Sequence, residues 1–341
     1  MQKKIKDSYK NKTILVTGGT GSFGKKFIKI LLKNFKLKKI IIYSRDEFKQ
    51  SQMANELKSY KDKLRFFIGD IRDLPRIKLA MKNVDIVVHA AALKQVTTAE
   101  YNPFEVIKTN IIGTQNIIDA IIDSNVEKAI ALSTDKAAAP INLYGSSKLA
   151  ADKIFIAANN YSQKKFSVVR YGNVFGSRGS VVPLFLEQSK TGKVYLTDER
   201  MTRFTITLEE GVEFVINCLG KMWGGELFVP KIPSYKILDV LRAFAPSAKK
   251  INIGIRPGEK IHEEMITSSD SFNTIEFKDY FVILPTAQDL VPWKIKDFIK
   301  NFEDQPGKRC KENFSYNSLN NHEYVNVEQL KEMRKKFERE D

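Results

Sequence analysis

The sequence has few cysteines and no long apolar run. Only two cysteines occur in 341 residues, Cys218 and Cys310, and they lack the spacing of a zinc site or a disulfide framework. No apolar stretch approaches the ~20 residues that span a bilayer. The basic start "MQKKIKDSYKNK" is not followed by the apolar segment of a signal peptide. We therefore expect no metal site, no membrane association and a cytoplasmic location.

Arginine-rich arms and aromatic stacking motifs are also missing, although the net charge is +16. Lysine is scattered through the chain, which is typical of a solvated surface, and part of the charge would attract an anionic metabolite. We expect no nucleic-acid partner. The composition, 43% hydrophobic and 28% charged, is that of a globular protein large enough for one α/β domain or for a large and a small lobe.

Apolar, β-branched runs alternate with helical patterns over the first half of the chain. Six such runs predict buried parallel strands at 12–18, 38–44, 64–70, 84–92, 127–134 and 165–173. Amphipathic segments such as "FGKKFIKILLKNF" and "PFEVIKTNIIGTQNIIDAIIDS" lie between them, and Pro103 suits the first turn of the second segment. This alternation predicts an α/β fold with a doubly wound parallel sheet of the Rossmann type. Its ligands should bind at the carboxyl ends of the strands.

After about residue 174 the pattern breaks into shorter pieces that contain more glycine and proline. We predict that residues 1–174 form mainly the dinucleotide-binding domain, with the catalytic groups. Residues 175–302 would form mainly a smaller substrate-binding lobe. Residues 303–341 would be a polar C-terminal tail that ends in a short helix.

A glycine pattern, "VTGGTGSFG", follows the first predicted strand and opens the first helix. Glycine permits a tight turn there and lets a pyrophosphate approach the helix N-terminus, which stabilises negative charge. We expect this loop to bind a dinucleotide. The predicted contacts are Gly18, Thr20, Gly21, Ser22, Phe23 and Gly24.

The ends of the second and third strands carry the residues that select the cofactor. Ser44 and Arg45 come first and favour NADP, since an arginine there suits a 2′-phosphate, whereas Asp46 keeps NAD as an alternative. Asp70 and Ile71 end the third strand, where the adenine would lie. The sequence therefore favours NADP.

A Tyr-x-x-x-Lys pair, Tyr144 and Lys148, predicts two side chains on one helix face. A nearby ammonium and a bound nicotinamide cation would lower the pKa of the tyrosine, so that the phenolate acts as a base. The pair follows a strand that ends in "LSTDK", so Ser133 or Thr134 would lie beside it at the sheet edge.

Together these features resemble the extended short-chain dehydrogenase/reductases. The segments "AAALKQV", "STDKAAAPINLYGSSKLAADK", "VVRYGNVFGSRGSVVP" and "GIRPGEKIHEEMI" are similar to those of UDP-N-acetylglucosamine 4,6-dehydratases. They are most similar to the inverting, 5-epimerising members that begin pseudaminic acid synthesis. The resemblance runs from about residue 10 to the end. Its departures are Thr97 and Thr98 in place of Pro-Ala and Ala139 in place of Asn, which concern substrate fit.

The resemblance implies a role for the neighbouring Asp135 and Lys136. Tyr144, supported by Lys148, would remove the 4-hydroxyl proton while carbon 4 gives its hydride to NADP⁺. Lys136 would remove the carbon-5 proton as base, and Asp135 would protonate the departing 6-hydroxyl before hydride returns to carbon 6. For this the pKa of Lys136 must lie far below its usual value, for which Lys148 and the nicotinamide are the expected causes. A lysine at 136, where retaining enzymes typically carry Glu, indicates inversion.

The resemblance also implies UDP-N-acetylglucosamine as substrate, bound largely by the lobe at 175–302, and a homo-oligomer. Arg178 and Arg256 suit the diphosphate because the planar guanidinium matches phosphate oxygens. Arg203 could bind the substrate or have a structural role instead. The substrate contacts that we expect are Lys94, Thr134, Tyr144, Asn173, Arg178, Val181, Arg203, Arg256 and Glu259. The remaining cofactor contacts that we expect are Ala90, Ala91, Ala92, Lys94, Tyr144 and Lys148.

Two other functions stay open at this point. One is a sugar-nucleotide 4-epimerase or a configuration-retaining dehydratase on the same scaffold. An epimerase has no use for an Asp-Lys pair, and a retaining dehydratase would carry Glu at 136. The other is a dinucleotide-binding sensor without catalysis, which should lack the Tyr or the Lys of the Tyr-x-x-x-Lys pair.

Overall fold

The computed structural model describes residues 2–176 and 180–340. The strands are β1 Thr13–Thr17, β2 Lys39–Ser44, β3 Leu64–Ile68, β4 Ile86–His89, β5 Lys128–Thr134, β6 Lys165–Tyr171, β7 Asn173–Val174, β8 Lys193–Leu196, β9 Thr202–Ile206, β10 Leu227–Pro230, β11 Ser234–Lys236, β12 Lys249–Asn252, β13 Glu264–Ile266, β14 Thr274–Glu276, β15 Tyr280–Ile283, β16 Lys308–Arg309 and β17 Tyr316–Asn317. The α-helices are α1 Gln2–Ser8, α2 Ser22–Asn34, α3 Glu47–Glu56, α4 Leu74–Ala80, α5 Val96–Tyr101, α6 Pro103–Val106, α7 Gly113–Ile122, α8 Leu143–Ala157, α9 Val181–Ser189, α10 Leu208–Lys221, α11 Ile237–Phe244, α12 Ile295–Asn301 and α13 Val327–Glu340. Short 3₁₀ segments lie at Lys58–Lys63, Asp135–Ala137, Ser268–Asn273 and Gln288–Leu290, and a π-helical turn lies at Ile107–Ile112.

The six predicted strands are confirmed as β1–β6, and they pair in parallel in the order β6-β5-β4-β1-β2-β3. They are rich in Ile and Val, which suit a sheet covered on both faces, and most of their residues are buried. Helix α8 packs on β5 and β6 beside α7, whereas α10 packs on the same two strands beside α2. Helices thus cover both faces, as predicted for a doubly wound sheet. The strand order reverses between β1 and β4, which places a ligand crevice at their carboxyl ends.

The chain after residue 174 contributes to both parts of the molecule. β10 pairs in parallel with β6, and β15, β14 and β16 extend the same sheet with antiparallel pairing to ten strands among the described residues. A smaller lobe has its own buried cluster, which includes Phe185, Val194, Val240 and Phe244. A single boundary at residue 174 therefore does not describe the division, because long-range pairing returns the chain to the large sheet.

The predicted C-terminal tail is packed into the fold instead of extending from it. β16 lies at the edge of the large sheet, β17 pairs with β13, and α13 packs on α11. The cause is a small number of apolar side chains in a polar segment: Tyr316, Val325 and Leu330 are all buried. Each such buried side chain contributes roughly 1.5–3 kcal/mol, so few are needed to hold the segment.

A long helical segment from Pro103 to Ile122 supports the crevice. It consists of α6, the π-helical turn and α7, and it confirms the predicted amphipathic helix that begins at a proline. The π-helical turn contains the buried Asn110, whose amide donates to the Leu93 carbonyl and to Ser147 Oγ and accepts from the Leu93 N–H. Asn110 thereby fixes the loop that follows β4. Among the helices of the described residues, none is long and apolar enough to cross a membrane.

Candidate active site

The glycine loop joins β1 to α2 at the carboxyl edge of the sheet. Gly18 has a φ of +65°, which favours glycine, and a Cβ there would lie 3.0 Å from the Ala91 nitrogen. A Cβ at Gly24 would lie 2.5 Å from Gly19 Cα, so α2 packs on the loop only because the residue is glycine. The first turn of α2 has no acidic residue to oppose an anion. The predicted loop residues all line one cleft, namely Gly18, Thr20, Gly21, Ser22, Phe23 and Gly24.

The end of β2 presents positive charge to this cleft. Asp46 caps α3 by accepting from the Lys49 N–H at 2.9 Å, and Lys49 Nζ lies 2.6 Å from its other oxygen. These hydrogen bonds from Lys49 hold the pKa of Asp46 below its usual value. Arg45 is half exposed, with Nη1 3.4 Å from Asp70 Oδ2. The Asp46 carboxylate is therefore already engaged, while Arg45 and Lys49 offer cations. Ser44 lines the cleft beside them.

The other expected cofactor residues line the same cleft: Asp70, Ile71, Ala90, Ala91, Ala92 and Lys94. The N–H groups of Ala90 and Ala91 donate to Thr17 Oγ1 at 3.1 and 3.2 Å, which fixes the exit of β4. Burial lowers the pKa of Lys94. With the glycine loop and the cations after β2, these residues form an elongated surface that fits a dinucleotide.

The acid–base pair lies at the end of β5, where the chain enters a 3₁₀ turn at Asp135–Ala137. Thr134 Oγ1 accepts from the Lys136 N–H and donates to Asp135 Oδ1 at 3.0 Å. Lys136 Nζ donates to Asp135 Oδ1 at 3.0 Å and to Asn173 Oδ1 at 3.3 Å. Asp135 is fully buried, and its Oδ2 has no hydrogen-bond partner among the described residues. An acid and an amine thus share a hydrogen bond, with Lys136 lining the cleft and Asp135 buried behind it.

Helix α8 brings the Tyr-x-x-x-Lys pair to the same cleft. Its N-terminus is capped by Asn142, whose side chain accepts from the Gly145 N–H. Burial raises the pKa of Tyr144 to about 12, although Lys136 and a hydrogen bond with Thr134 act to lower it. Lys148 Nζ donates to the Leu132 carbonyl at 2.7 Å, and burial lowers the pKa of Lys148. Lys136 is thus a cation that lowers the pKa of Tyr144, and the support from Lys148 stays a prediction.

Two carboxylates act on the protonation of Lys136. Burial lowers the pKa of Lys136, but the carboxylates of Asp135 and Glu263 outweigh this and raise it above its usual value. Glu263 Oε1 lies 3.4 Å from Lys136 Nζ. The two carboxylates thus favour the ammonium form, and the neutral lysine expected from the sequence stays a prediction.

The expected substrate residues occupy the other end of the cleft, apart from Arg178, which lies outside the described residues. Asn173, Val181, Arg203, Arg256 and Glu259 all line it. Arg256 is half exposed, and its Nη1 lies 3.9 Å from Glu259 Oε1.

Arg203 is tied to the backbone of the loop before β13. Its guanidinium donates to the carbonyls of Lys260 and Ile261, both at 2.9 Å, and to its neighbour Thr202 at 2.7 Å. These hydrogen bonds favour a structural role for Arg203 over substrate binding, because most of the guanidinium donors are used within the protein. Its side chain still faces the cleft.

Several cleft residues were not expected from the sequence, among them Lys49, Tyr235 and Glu263. Lys49 lies in an ordinary helical pattern, and Glu263 is one of two adjacent glutamates. The only sequence signal for Glu263 was its place in "GEKIHEEMI", which does not tell which glutamate faces inward.

The whole cleft has a volume of about 1030 Å³. This is at the upper end of the roughly 300–1,000 Å³ found for small-molecule sites. It runs from the glycine loop, past Tyr144 and Lys136, to Arg256. Such a length fits two ligands laid end to end, with the reactive groups where they meet.

Comparisons with known proteins agree with this geometry. The family described as "Polysaccharide biosynthesis protein" matches residues 14–285. A UDP-N-acetylglucosamine 4,6-dehydratase (inverting) of Campylobacter jejuni is 53% identical over 327 residues, which cover 94% of this chain and 97% of that protein. A UDP-glucose 4-epimerase of Rickettsia conorii is 42% identical over 82% of this chain and 85% of its own length.

A solved structure, that of Pen from Bacillus thuringiensis, has a TM-score of 0.85 to this chain. It is 36% identical, and the match covers 96% of this chain and 99% of that one. The similarity therefore extends over the lobe and the C-terminal segment as well as the dinucleotide fold. The chain belongs to the polysaccharide biosynthesis protein family, as a relative of the inverting UDP-N-acetylglucosamine 4,6-dehydratases.

Proposed function

We propose that this protein is an NADP-dependent UDP-N-acetylglucosamine 4,6-dehydratase that inverts carbon 5. The observation that carries the proposal is that Tyr144 and Lys136 line one cleft and that Lys136 is hydrogen-bonded to Asp135, which is buried directly behind it. An epimerase or a simple dehydrogenase needs the tyrosine but not an additional buried acid and amine. The 53% identity to the Campylobacter protein supports the substrate and the inversion.

Tyr144 acts first in this proposal. Its phenolate accepts the proton of the sugar 4-hydroxyl, and Thr134, its hydrogen-bond partner, helps to orient that hydroxyl. When bound, the nicotinamide supplies the hydride acceptor at this step and the hydride donor at the last. Lys136 lowers the pKa of Tyr144, and a further cation bound beside Tyr144 would lower that pKa more.

Lys136 and Asp135 then carry out the elimination. The proton on carbon 5, made acidic by the new 4-ketone, passes to Lys136 Nζ, and the bond between carbon 6 and its hydroxyl breaks as Asp135 donates a proton to the leaving oxygen. These roles require a neutral amine and a protonated acid. The two forms interconvert by one proton transfer across the 3.0 Å hydrogen bond between Lys136 Nζ and Asp135 Oδ1. The elimination itself therefore needs no proton from solvent. When carbon 6 becomes a methyl group, one proton is added to carbon 5 on the face opposite Lys136, and solvent supplies it, so that it appears as deuterium in D₂O.

The cofactor preference for NADP rests on the rim of the cleft after β2. Arg45 is a half-exposed cation there, and the Asp46 carboxylate is engaged both by the cap of α3 and by Lys49 Nζ. A 2′-phosphate suits such a rim better than a 2′-hydroxyl, which would need a free carboxylate as acceptor. NAD is the alternative, and titration with both dinucleotides decides between them.

The protein's setting is part of the proposal. We place it in the cytoplasm, consistent with two free cysteines, and at the first step of pseudaminic acid synthesis. We expect a homo-oligomer, since Tyr101, Phe104 and Ile112 are exposed by 83%, 60% and 44% on the long helical segment and its neighbour α5. Light scattering during size-exclusion chromatography measures the oligomeric state.

Proton NMR of the purified protein with UDP-N-acetylglucosamine in D₂O tests the function. We expect a new carbon-6 methyl signal, deuterium at carbon 5 and the couplings of an L-arabino 4-keto sugar. The same methyl signal with the couplings of a D-xylo sugar would show that the configuration at carbon 5 is retained and not inverted. An unchanged spectrum with this and other UDP-sugars would overturn the proposal.

The similarity to the Rickettsia protein supports a second candidate, a UDP-sugar 4-epimerase. In that case the spectrum would show an inverted carbon 4 and no methyl group. The variant Lys136→Met separates the two further. It should abolish formation of the methyl group, whereas an epimerase would still invert carbon 4, more slowly because Tyr144 loses the cation that lowers its pKa.

A further inference from the structure

A second buried carboxylate, Glu263, lies next to Lys136 and has no role in the reaction described above. Its side chain is 4% exposed, and its Oε1 lies 3.4 Å from Lys136 Nζ. Its other oxygen, Oε2, has no hydrogen-bond partner among the described residues. A buried carboxylate with an oxygen left unpaired costs free energy, so a structural role alone does not explain it well.

The backbone of Glu263 is held firmly, so the position of the carboxylate is defined. Its N–H donates to Ser318 Oγ at 2.9 Å, and its carbonyl accepts from the Ser318 N–H at 2.7 Å. The adjacent strand β13 packs on the 3₁₀ turn that carries Lys136. The carboxylate and the ammonium are thus placed together by two rigid elements that are distant in sequence.

Several charged or titratable groups face Lys136 from the elements around it. They are Asp135 from the same turn, Tyr144 from α8, Arg203 from β9, Tyr235 from β11 and Glu263. Arg203 Nε lies 3.8 Å from Glu263 Oε1, so that carboxylate interacts with two cations. Asp135 is the proposed acid and must carry a proton during elimination. Glu263 is then the carboxylate that stays ionised beside Lys136.

We propose that Glu263 is a positioning residue that sets the basicity of Lys136. This inference rests on the proposed dehydratase function. As the carbon-5 proton moves to Nζ, positive charge develops 3.4 Å from a fixed carboxylate in a buried site, where the attraction is stronger than in water. Glu263 thereby stabilises the forming ammonium and holds Nζ in place. It takes up no proton and forms no bond.

The test compares pH profiles of kcat and KM for the full-length protein and three variants. Glu263→Gln keeps the shape and removes the charge, Glu263→Asp keeps the charge at a greater distance, and Glu264→Gln is the matched control outside the cleft. We expect Glu263→Gln to lower kcat about ten- to hundredfold, with a small change in KM. The negative charge of Glu263 favours the protonated form of Lys136. Its loss should therefore move the alkaline limb of the kcat profile, where the Asp135–Lys136 pair loses its shared proton, to lower pH.

Glu263→Asp should give an intermediate alkaline limb, and Glu264→Gln a wild-type one. If Glu263→Gln leaves the limb in place, or if Glu263→Asp moves it equally far, the charge of Glu263 does not set the basicity and the proposal is wrong. Glu263→Asp also keeps the proposal testable if the glutamine variant does not fold.

A titration without substrate separates this proposal from the proposed function. In protein labelled with ε-¹³C-lysine, the signal that disappears in Lys136→Arg reports the protonation of Lys136. We expect its midpoint to fall in Glu263→Gln. An unchanged midpoint contradicts the role of Glu263 whatever reaction the protein catalyses. Failure of the wild type to dehydrate UDP-N-acetylglucosamine contradicts only the function.

Discussion

The two ends of the cleft are built in different ways. At the dinucleotide end the glycine loop is a single short segment, in which Gly18 and Gly24 are six residues apart and the backbone itself forms the surface. At the sugar end, Lys136, Asn173, Arg203 and Glu263 come from four separate segments and meet through side chains. A site of the first kind is specified locally. A site of the second kind exists only after the whole chain has folded.

The charged side chains at the two ends of the cleft also differ in their exposure to solvent. At the dinucleotide end Arg45 and Lys49 lie on an exposed rim, where ion pairs are screened and contribute little to stability. At the sugar end Asp135 and Glu263 are buried around one lysine. Substitutions at the rim should therefore change ligand affinity alone, whereas those at the sugar end should change catalysis, stability or both.

The largest effect is expected at Tyr144, where the two ends meet. Tyr144→Phe removes the group that takes the 4-hydroxyl proton, so kcat should fall by about 10²- to 10⁴-fold, while the dinucleotide affinity stays the same. Steady-state kinetics and dinucleotide titration measure the two quantities. Tyr161→Phe is the control, since Tyr161 belongs to the other Tyr-x-x-x-Lys of the sequence and is 56% exposed. Retention of wild-type kcat in Tyr144→Phe would exclude the tyrosine as base.

A smaller effect is expected at the rim of the dinucleotide end. Arg45→Ala removes a cation from the proposed 2′-phosphate site, so the Kd for NADP⁺ should rise about ten- to hundredfold and that for NAD⁺ should stay nearly constant. Isothermal titration of both dinucleotides measures this. Arg65→Ala, which removes an arginine of β3 outside the cleft, should change neither Kd. An equal loss for both cofactors would mean that Arg45 does not read the 2′ position.

The sugar end should depend on the C-terminal segment in a way that the dinucleotide end does not. Ser318 is fully buried, and its Oγ accepts from the Glu263 N–H and donates to the Thr202 carbonyl. Ser318→Ala leaves these groups unpaired and should lower the free energy of unfolding by about 1–3 kcal/mol. Denaturant unfolding measures it, with Ser315→Ala as a control in the same segment. Equal stability of the two variants would contradict the dependence of the sugar end on Ser318.

The smallest effect is expected beside the catalytic turn. Ala139 has a φ of +42°, in the left-handed region, where Asn is better tolerated than Ala. Because the side chain is exposed, Ala139→Asn should act through the backbone alone and raise the free energy of unfolding by about 0.5–1 kcal/mol. Ala287→Asn, at another exposed alanine, should not stabilise the protein. Thermal unfolding of both variants measures the difference.

The sequence was informative where structure depends on neighbours in the chain. The six parallel strands, the helix from Pro103 and the glycine loop were predicted, because each is defined by a periodic pattern or a fixed spacing. The Asp135–Lys136 hydrogen bond also follows from adjacent residues.

Long-range pairing is what sequence patterns did not reveal. The return of β10, β14, β15 and β16 to the large sheet made a single domain boundary inadequate. Glu263 was not expected because nothing in "HEEM" distinguishes the inward glutamate from Glu264. The surroundings of Lys136 were foreseen only in part, since Asp135 is its neighbour in the sequence whereas Glu263, the second carboxylate that raises its pKa, lies 127 residues further along the chain.

The Ser318 contacts have a consequence for how the protein is made. A ribosome delivers the chain from its N-terminus, so the dinucleotide loop and the first parallel strands emerge early and can fold as a unit. Glu263 receives its backbone partner only when residue 318 of 341 has been released. The nascent protein therefore passes through a stage that can take up the dinucleotide before the base at Lys136 is fully assembled. Catalytic competence is the last property that the growing chain acquires.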